Sequence, residues 1–342
     1  MGKKKALKLL LRITISVIFI SLLLHNADAV QTIKSLLKTD IRVWVSGIFL
    51  YILGQSISAY KWKLLANAAG YQKKFKDYMN FYFIGMFFNL FLPTTVGGDV
   101  VKGYYLSKGD PGKENLEGRK APAIYSILAD RFTGVAVIVW IATIASLSSV
   151  GNSVPVIFKI FLVSLSLSIL IFIPTFPILL HKYFRRKKLA ISILKDTKTY
   201  WTNPKLMATI FVWSLIFHIT VVIIHIIIGH ALKLDIPFGY YFIVYPVSAI
   251  AGFIPFTFNG IGPREAAYVL FLHFIGITKA EAVAFGLLWL GIVICSSLFG
   301  GIFYIRGKHI PPPEELEEEE EEFNLLQKAY EEDDTAEASD NV

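Results

Sequence analysis

Cysteine is nearly absent. Cys295 is the one thiol in 342 residues, so the chain can form no disulfide within itself. Charge is scarce too: 18% of residues are Asp, Glu, Lys or Arg, where a soluble domain carries about 25%, while 54% are hydrophobic. Short alternating strands between turns are missing, which excludes an outer-membrane type of barrel. No nucleotide domain is visible. Gly109-Asp110-Pro111-Gly112-Lys113 has the wrong spacing for a phosphate-binding loop and lacks its Ser/Thr. There is no His-Glu-x-x-His pair and no Gly-x-Ser-x-Gly elbow. ATP-driven pumping and motif-based hydrolysis are therefore not expected of this chain, and no cofactor or metal is implied.

What is present is a series of long apolar runs bounded by Lys and Arg. They predict an all-α polytopic membrane protein. Spanning helices are expected at about Leu7–Leu24, Ile41–Tyr60, Ala121–Leu147, Val154–Leu180, Lys205–Gly229 and Ala280–Ile305. Each is near the ~20 residues that cross ~30 Å of hydrocarbon, the first being short. Two further apolar regions, Tyr78–Leu106 and Phe238–Gly276, are interrupted. Read as re-entrant helical hairpins, they place every strongly basic loop on one face, the cytoplasmic one. Those loops hold Lys3, Lys4, Lys5 and Lys8; Lys61, Lys63, Lys73, Lys74 and Lys76; Lys102 to Lys120; Lys182 to Lys198; and Arg306 and Lys308. Read as full crossings, the interrupted regions would put basic loops on both faces. The hairpin reading divides residues 1–306 into inverted halves, about 7–150 and 151–306. Each half is span, span, hairpin, span. Both termini then face the cytoplasm, and a plasma-membrane location is expected. The Lys-rich start followed by Ala27-Asp28-Ala29 also fits a signal peptide. Cleavage there would leave the first half one helix short, so the repeat favours retention.

The interruptions resemble each other. One reads Pro93-Thr94-Thr95-Val96-Gly97-Gly98-Asp99-Val100-Val101-Lys102. The other reads Pro255-Phe256-Thr257-Phe258-Asn259-Gly260-Ile261-Gly262-Pro263-Arg264-Glu265. Aligned from their first prolines they share Thr two residues on and Gly five on, and an acid and a base follow. Backbone broken by Gly and Pro frees N–H and C=O groups that lipid cannot satisfy, so such breaks sit against protein or a wet cavity. A matched pair of broken apolar segments points to a transporter's substrate site.

Six ionisable side chains fall at membrane depth: Asp99, Lys102, Asp130, Arg131, Arg264 and Glu265. On insertion scales each costs roughly 2.5–3.5 kcal/mol, so each should face a cavity or a partner. The signs balance, three against three. Ion pairs that fix the hairpins to the bundle and direct contact with a ligand are both compatible with that balance. Gly262-Pro263 reads as a helix start, with Arg264 and Glu265 in the first turn. Gly97-Gly98 reads as another, with Asp99 and Lys102 on one face. A helix N-terminus beside Arg and Lys suits a phosphate; the same acids can instead satisfy the helix ends themselves. Asp130-Arg131 is expected as an inward-facing pair, since Gly134 one turn on permits close packing. Asn89 and Asn259 flank the breaks and are expected to bond freed backbone groups. His218 and His225 share a helix face but have too few convergent partners for a metal site. The segment Phe81–Phe91 is expected as packing or lipid-facing surface.

Residues 307–342 read as a cytoplasmic, disordered tail, with Pro311-Pro312-Pro313 before a glutamate-rich stretch at 314–322. From residue 311 the tail carries −13, leaving +21 on the rest of a chain whose net charge is +8. That basic excess sits at span ends, which suits anionic lipid headgroups rather than nucleic acid.

On Asn89 to Lys102, Asp130-Arg131 and Pro255 to Ala267, the chain resembles the lysylphosphatidylglycerol synthase transmembrane-region family, also called flippase-like domain proteins. The family often has Arg where this chain has Lys102, and Glu where it has Asp130. Family members with a fused aminoacyl-transferase domain make an aminoacylated phospholipid and flip it. Residues 307–342 are too few for that domain, so the resemblance implies the translocating part alone. Stand-alone relatives are linked to lipids or polyprenyl-linked sugars, often beside glycosyltransferases. The resulting expectation is an integral membrane lipid translocase for an anionic phospholipid or polyprenyl-linked lipid. Lys102 and Arg264 would hold its phosphate, with Asp99, Glu265, Asp130 and Arg131 organising the gates. The alternatives are a membrane-embedded lipid-phosphate transferase, with Asp99 or Glu265 as base, and a non-catalytic membrane partner of a glycosyltransferase.

Overall fold

Short polar side chains mark where the apolar helices begin. In the computed structural model, Asp40 accepts hydrogen bonds from the backbone N–H groups of Arg42 and Val43 and opens one long helix. Asn203 does the same for Leu206, with Pro204 at the first helical position. Thr278 and Glu281 cap the last helix reciprocally. The structure describes residues 27–90, 97–107, 120–184, 197–200, 202–253 and 260–307, together with Thr14 and Ser21. Most of the expected first span, both proline-led breaks and the acidic tail lie outside these residues.

The described helices are α1 (Ala29–Leu37), α2 (Ile41–Ala68), α3 (Phe75–Asn89), α4 (Gly97–Ser107), α5 (Lys120–Leu147), α6 (Val156–Phe184), α7 (Pro204–Ala231), α8 (Tyr241–Gly252), α9 (Pro263–His273) and α10 (Lys279–Arg306). Five of them, α2, α5, α6, α7 and α10, are long and apolar enough to cross a membrane. The fold is all-α and polytopic, as the apolar runs predicted. One boundary differs in an important way. The second span does not stop at Tyr60: α2 continues to Ala68. This places Lys61 inside the helix rather than in the basic loop expected after it.

The two interrupted regions each form a pair of short helices, α3–α4 and α8–α9, packed against each other. At 15, 11, 12 and 11 residues, none is long enough to span. The pairs occupy opposite ends of α10. Phe83 and Phe87 of α3 lie against Gly300 and Gly301 near its C-terminal end. Glu265 and Tyr268 of α9 lie against Gly286 near its N-terminal end. Small residues let these backbones approach, as at other helix contacts within membranes.

The main core joins α2, α7, α8, α9 and α10 around Ile224, Ile228, Tyr240, Ile243, Phe271, Phe285 and Ile292. Gly54 brings α2 close to Thr220 and Phe217 of α7. By contrast α6 exposes Val156, Ile157, Ile160, Phe161, Leu167, Leu170 and Ile171. A soluble protein would bury such a face; a lipid-facing helix has no reason to. In the Phe-rich segment the packing alternative applies to the residues described: Phe83 is core, packed on Phe303, and Phe88 meets Tyr304 edge-on.

Candidate functional site

The first helix pair is closed by one side chain. Asn89 ends α3, and its Oδ1 accepts a hydrogen bond from the Gly98 N–H at 2.8 Å. Gly98 lies so close to the Gly85 carbonyl and the Asn89 amide that a Cβ would collide with both. The freed backbone is thus satisfied as expected for Asn89; Asn259, like Pro93 and Pro255, lies outside the described residues. Gly97 and Gly98 begin α4, which puts Asp99 and Lys102 on one face with Nζ 2.8 Å from Oδ1. Both are buried. The other oxygen of Asp99 is held by Arg131 of α5, through its Nε. The Lys102 ammonium also sits over the rings of Tyr82 and Trp62, at 4.5 and 5.4 Å.

The second pair turns on two glycines in left-handed conformations, Gly260 at φ 72° and Gly262 at φ 109°. Pro263 opens α9 at its first position. Glu265 is 2% exposed, and its Oε2 accepts from the Gly262 N–H at 2.6 Å. Its Oε1 meets Arg264, with Nε and Nη2 each at 3.1 Å. Glu265 therefore satisfies its own helix end and neutralises Arg264 together.

The third element was not foreseen. Lys61 of α2 is 3% exposed. Its Nζ is 3.0 Å from Asp130 Oδ1, 3.0 Å from the Asp130 carbonyl oxygen and 3.2 Å from Ser214 Oγ. Asp130 and Arg131 both face inward and line the same cavity, but each takes a different partner. Neighbours on a helix point in different directions, so Asp130 pairs with Lys61 and Arg131 with Asp99. Gly134 does provide room, but for His218 and Lys61, whose Nε2 and Nζ would lie 3.7 and 4.0 Å from a Cβ there. His218 bonds Tyr245 through Nδ1 at 2.7 Å. His225 is a packed histidine between the Val221 carbonyl and Tyr268 Oη, both at 2.8 Å. Among the described residues no group of three His, Cys, Asp or Glu is placed to hold a metal.

Most of these side chains surround one cavity of about 350 Å3. Its walls include Asn89, Asp99 and Lys102 from the first pair, Gly252 and Arg264 from the second, and Lys61, Asp130, Arg131 and His218 from the long helices. Five of the six predicted ionisable residues thus line one space, and Glu265 lies directly behind Arg264. Among the described residues, Lys61 changes their balance from three against three to four cations against three carboxylates. The undescribed breaks, residues 91–96 and 254–259, contain no charged side chain.

The sequence profile of the lysylphosphatidylglycerol synthase TM region matches residues 9–300. Two archaeal relatives are described as UPF0104 membrane proteins. The one from Pyrococcus horikoshii is 28% identical over 130 residues, 38% of this chain and 37% of the relative. The one from Methanocaldococcus jannaschii is 30% identical over 109 residues, 32% of each. The matched part is therefore about a third of each relative's length. No solved structure matches the chain.

Proposed function

We propose a function from one premise: the chain belongs to the lysylphosphatidylglycerol synthase TM-region family. It is an integral membrane lipid translocase, and an anionic lipid headgroup is its cargo. The observation that carries this reading is the cavity itself. Its charged walls come from two short-helix pairs seated at opposite ends of α10 and from the long helices α2 and α5, and among the described residues its cations outnumber its carboxylates. A headgroup phosphate entering there meets donors that remain unspent. A guanidinium has five N–H donors; Arg264 hydrogen-bonds Glu265 through Nε, and its buried Nη2, 3.1 Å from the same carboxylate, has no hydrogen-bond partner among the described residues. The Lys102 ammonium spends one contact on Asp99. Acyl chains would stay in the bilayer while the headgroup passes between the pairs, the usual logic of broken-helix transporters. Arg131–Asp99 and Arg264–Glu265 would serve as the gates.

A transferase reading has less support. Asp99 is gripped by two cations and Glu265 is occupied by the Gly262 N–H and Arg264. A general base needs a carboxylate free to take a proton.

Proteoliposomes with a fluorescent anionic phospholipid in the inner leaflet test the proposal. Wild-type protein should speed its exposure to an external quencher, and Lys102→Gln/Arg264→Gln should reduce that rate at least about tenfold, one 1.4 kcal/mol step. Wild-type exchange by a monodisperse double variant would remove both residues from the mechanism.

A further inference from the structure

His218 is a buried titratable group that the headgroup path leaves unused. It sits near the midpoint of α7, the depth at which transporters hold coupling ions. It is 3% exposed and lines the cavity. Its Nδ1 is 2.7 Å from Tyr245 Oη. Its Nε2 is buried and has no hydrogen-bond partner among the described residues, with the Gly134 backbone beside it. Buried polar atoms are normally paired, so an unanswered one at a cavity wall asks for a ligand. Lys61 shares the space over Gly134: a Cβ there would lie 3.7 Å from His218 Nε2 and 4.0 Å from Lys61 Nζ. The near contacts of that ammonium are oxygens of Asp130 and Ser214, which leaves Nε2 unanswered.

Resting on the translocase reading, we propose that His218 is a proton-binding site and that each anionic headgroup crosses together with a proton. In the tautomer that donates Nδ1–H to Tyr245 Oη, Nε2 presents a lone pair to the cavity. A proton from one aqueous side adds there as an N–H bond. That bond breaks when the proton leaves on the other side, and no other atom is exchanged. The helices packed on α7 are α2, α5, α8 and α10. Lys61 and Tyr51 of α2, Asp130 and Arg131 of α5 and Tyr245 of α8 share the cavity wall with His218, and His225 of α7 lies against the Tyr245 ring. From α10 comes Trp289, which carries no charge. An imidazolium beside the Lys61 ammonium is costly in a water-poor space unless an anion is present. A headgroup phosphate supplies that anion, so proton and headgroup each favour the other by the same factor. A metal ion is a poor substitute, since it would meet the same ammonium, and among the described residues no three of His, Cys, Asp or Glu converge on it.

The purified full chain in detergent and short-chain phosphatidylglycerol test the inference, because the phosphodiester of that lipid does not itself titrate near neutral pH. Calorimetry in buffers of different ionisation enthalpy counts the protons taken up on binding. Wild type should take up about one proton per lipid, and His218→Gln should take up none, whatever its affinity. A merely structural role for His218 would change the affinity and leave the proton count as in wild type. Uptake that persists in His218→Gln would overturn the assignment of the proton to His218. Should that variant fail to fold or to bind, nitrogen NMR of the histidine rings in wild type gives the same answer. One of the seven imidazoles should become an imidazolium as lipid is added, and no such change would overturn the inference. In proteoliposomes carrying the labelled phospholipid, an interior more acid by about one pH unit should shift the lipid outward about tenfold at steady state, the 1.36 kcal/mol of that unit. A protonophore should abolish the shift. Fast exchange with no shift would overturn proton coupling and leave the translocase in place. No exchange under any gradient would overturn the translocase reading and this inference with it.

Discussion

Lys61 shows what a residue-by-residue reading of sequence can and cannot recover. Asp99, Lys102, Asp130, Arg131, Arg264 and Glu265 stand out because each interrupts an apolar run, and five of them line one cavity. Lys61 does not stand out, since Lys63, Lys73, Lys74 and Lys76 follow it and the group reads as a basic loop. Charge counting weighs a lysine by position and cannot see that its carboxylate partner is 69 residues away. Removing one member of a buried ion pair leaves the other stranded, at about 3–5 kcal/mol, whereas removing both is far milder. Lys61→Met should therefore lower the thermal midpoint in detergent markedly, and Lys61→Met/Asp130→Asn should recover most of the loss. Equal destabilisation by the single and double variants would mean that Lys61 matters for packing alone. Gly98 invites a simpler comparison. A Cβ there meets the Gly85 carbonyl and Asn89, but at Gly103 in the same helix it meets only Ile127 Cδ1, at 3.6 Å. Gly98→Ala should destabilise by about 1–3 kcal/mol, the range for overpacking. Gly103→Ala should be neutral or stabilising by up to about 1 kcal/mol through helix propensity.

At the scale of elements, the short-helix pairs were legible because Gly and Pro have few uses inside apolar sequence. Gly262-Pro263 announces a helix start, and α9 begins there. Gly97-Gly98 announces another, and α4 begins there. What sequence could not fix was which partner each acid takes. A helix start offers an acid two roles, capping or ligand contact, and only the fold decides. Glu265 caps; Asp99 instead binds two cations from outside its own first turn. Asn89 is where the first pair depends on a single bond. Asn89→Leu would leave the buried Gly98 N–H without its acceptor, a loss of about 1–3 kcal/mol. Hydrogen exchange should then show faster exchange in α3 and α4 while α7 stays protected. Uniform acceleration throughout the bundle would show that the pair does not open as a unit.

For the whole molecule, the arrangement of the two pairs decides whether a headgroup can be handed from one leaflet to the other. Their seats at opposite ends of α10 follow from small residues at two places on that helix, Gly286 and Gly300-Gly301. If both pairs turn back within the bilayer, the loops flanking each pair share a side, and the two pairs open to opposite sides. If either crosses, its flanking loops separate. Sidedness is therefore the measurement that bears on the entire scheme, and the scarcity of thiols makes it practical. With Cys295→Ser as background, single cysteines at Lys74 and Lys113 flank the first pair, and at Lys233 and Lys279 the second. A membrane-impermeant maleimide applied to sealed right-side-out vesicles should label positions 233 and 279 and spare 74 and 113; inverted vesicles should give the reverse. Labelling of 74 and 113 from different sides would make the first pair a crossing. The cavity would then be reached by two elements running through the membrane in sequence, and hand-over between opposed tips would lose its geometric basis.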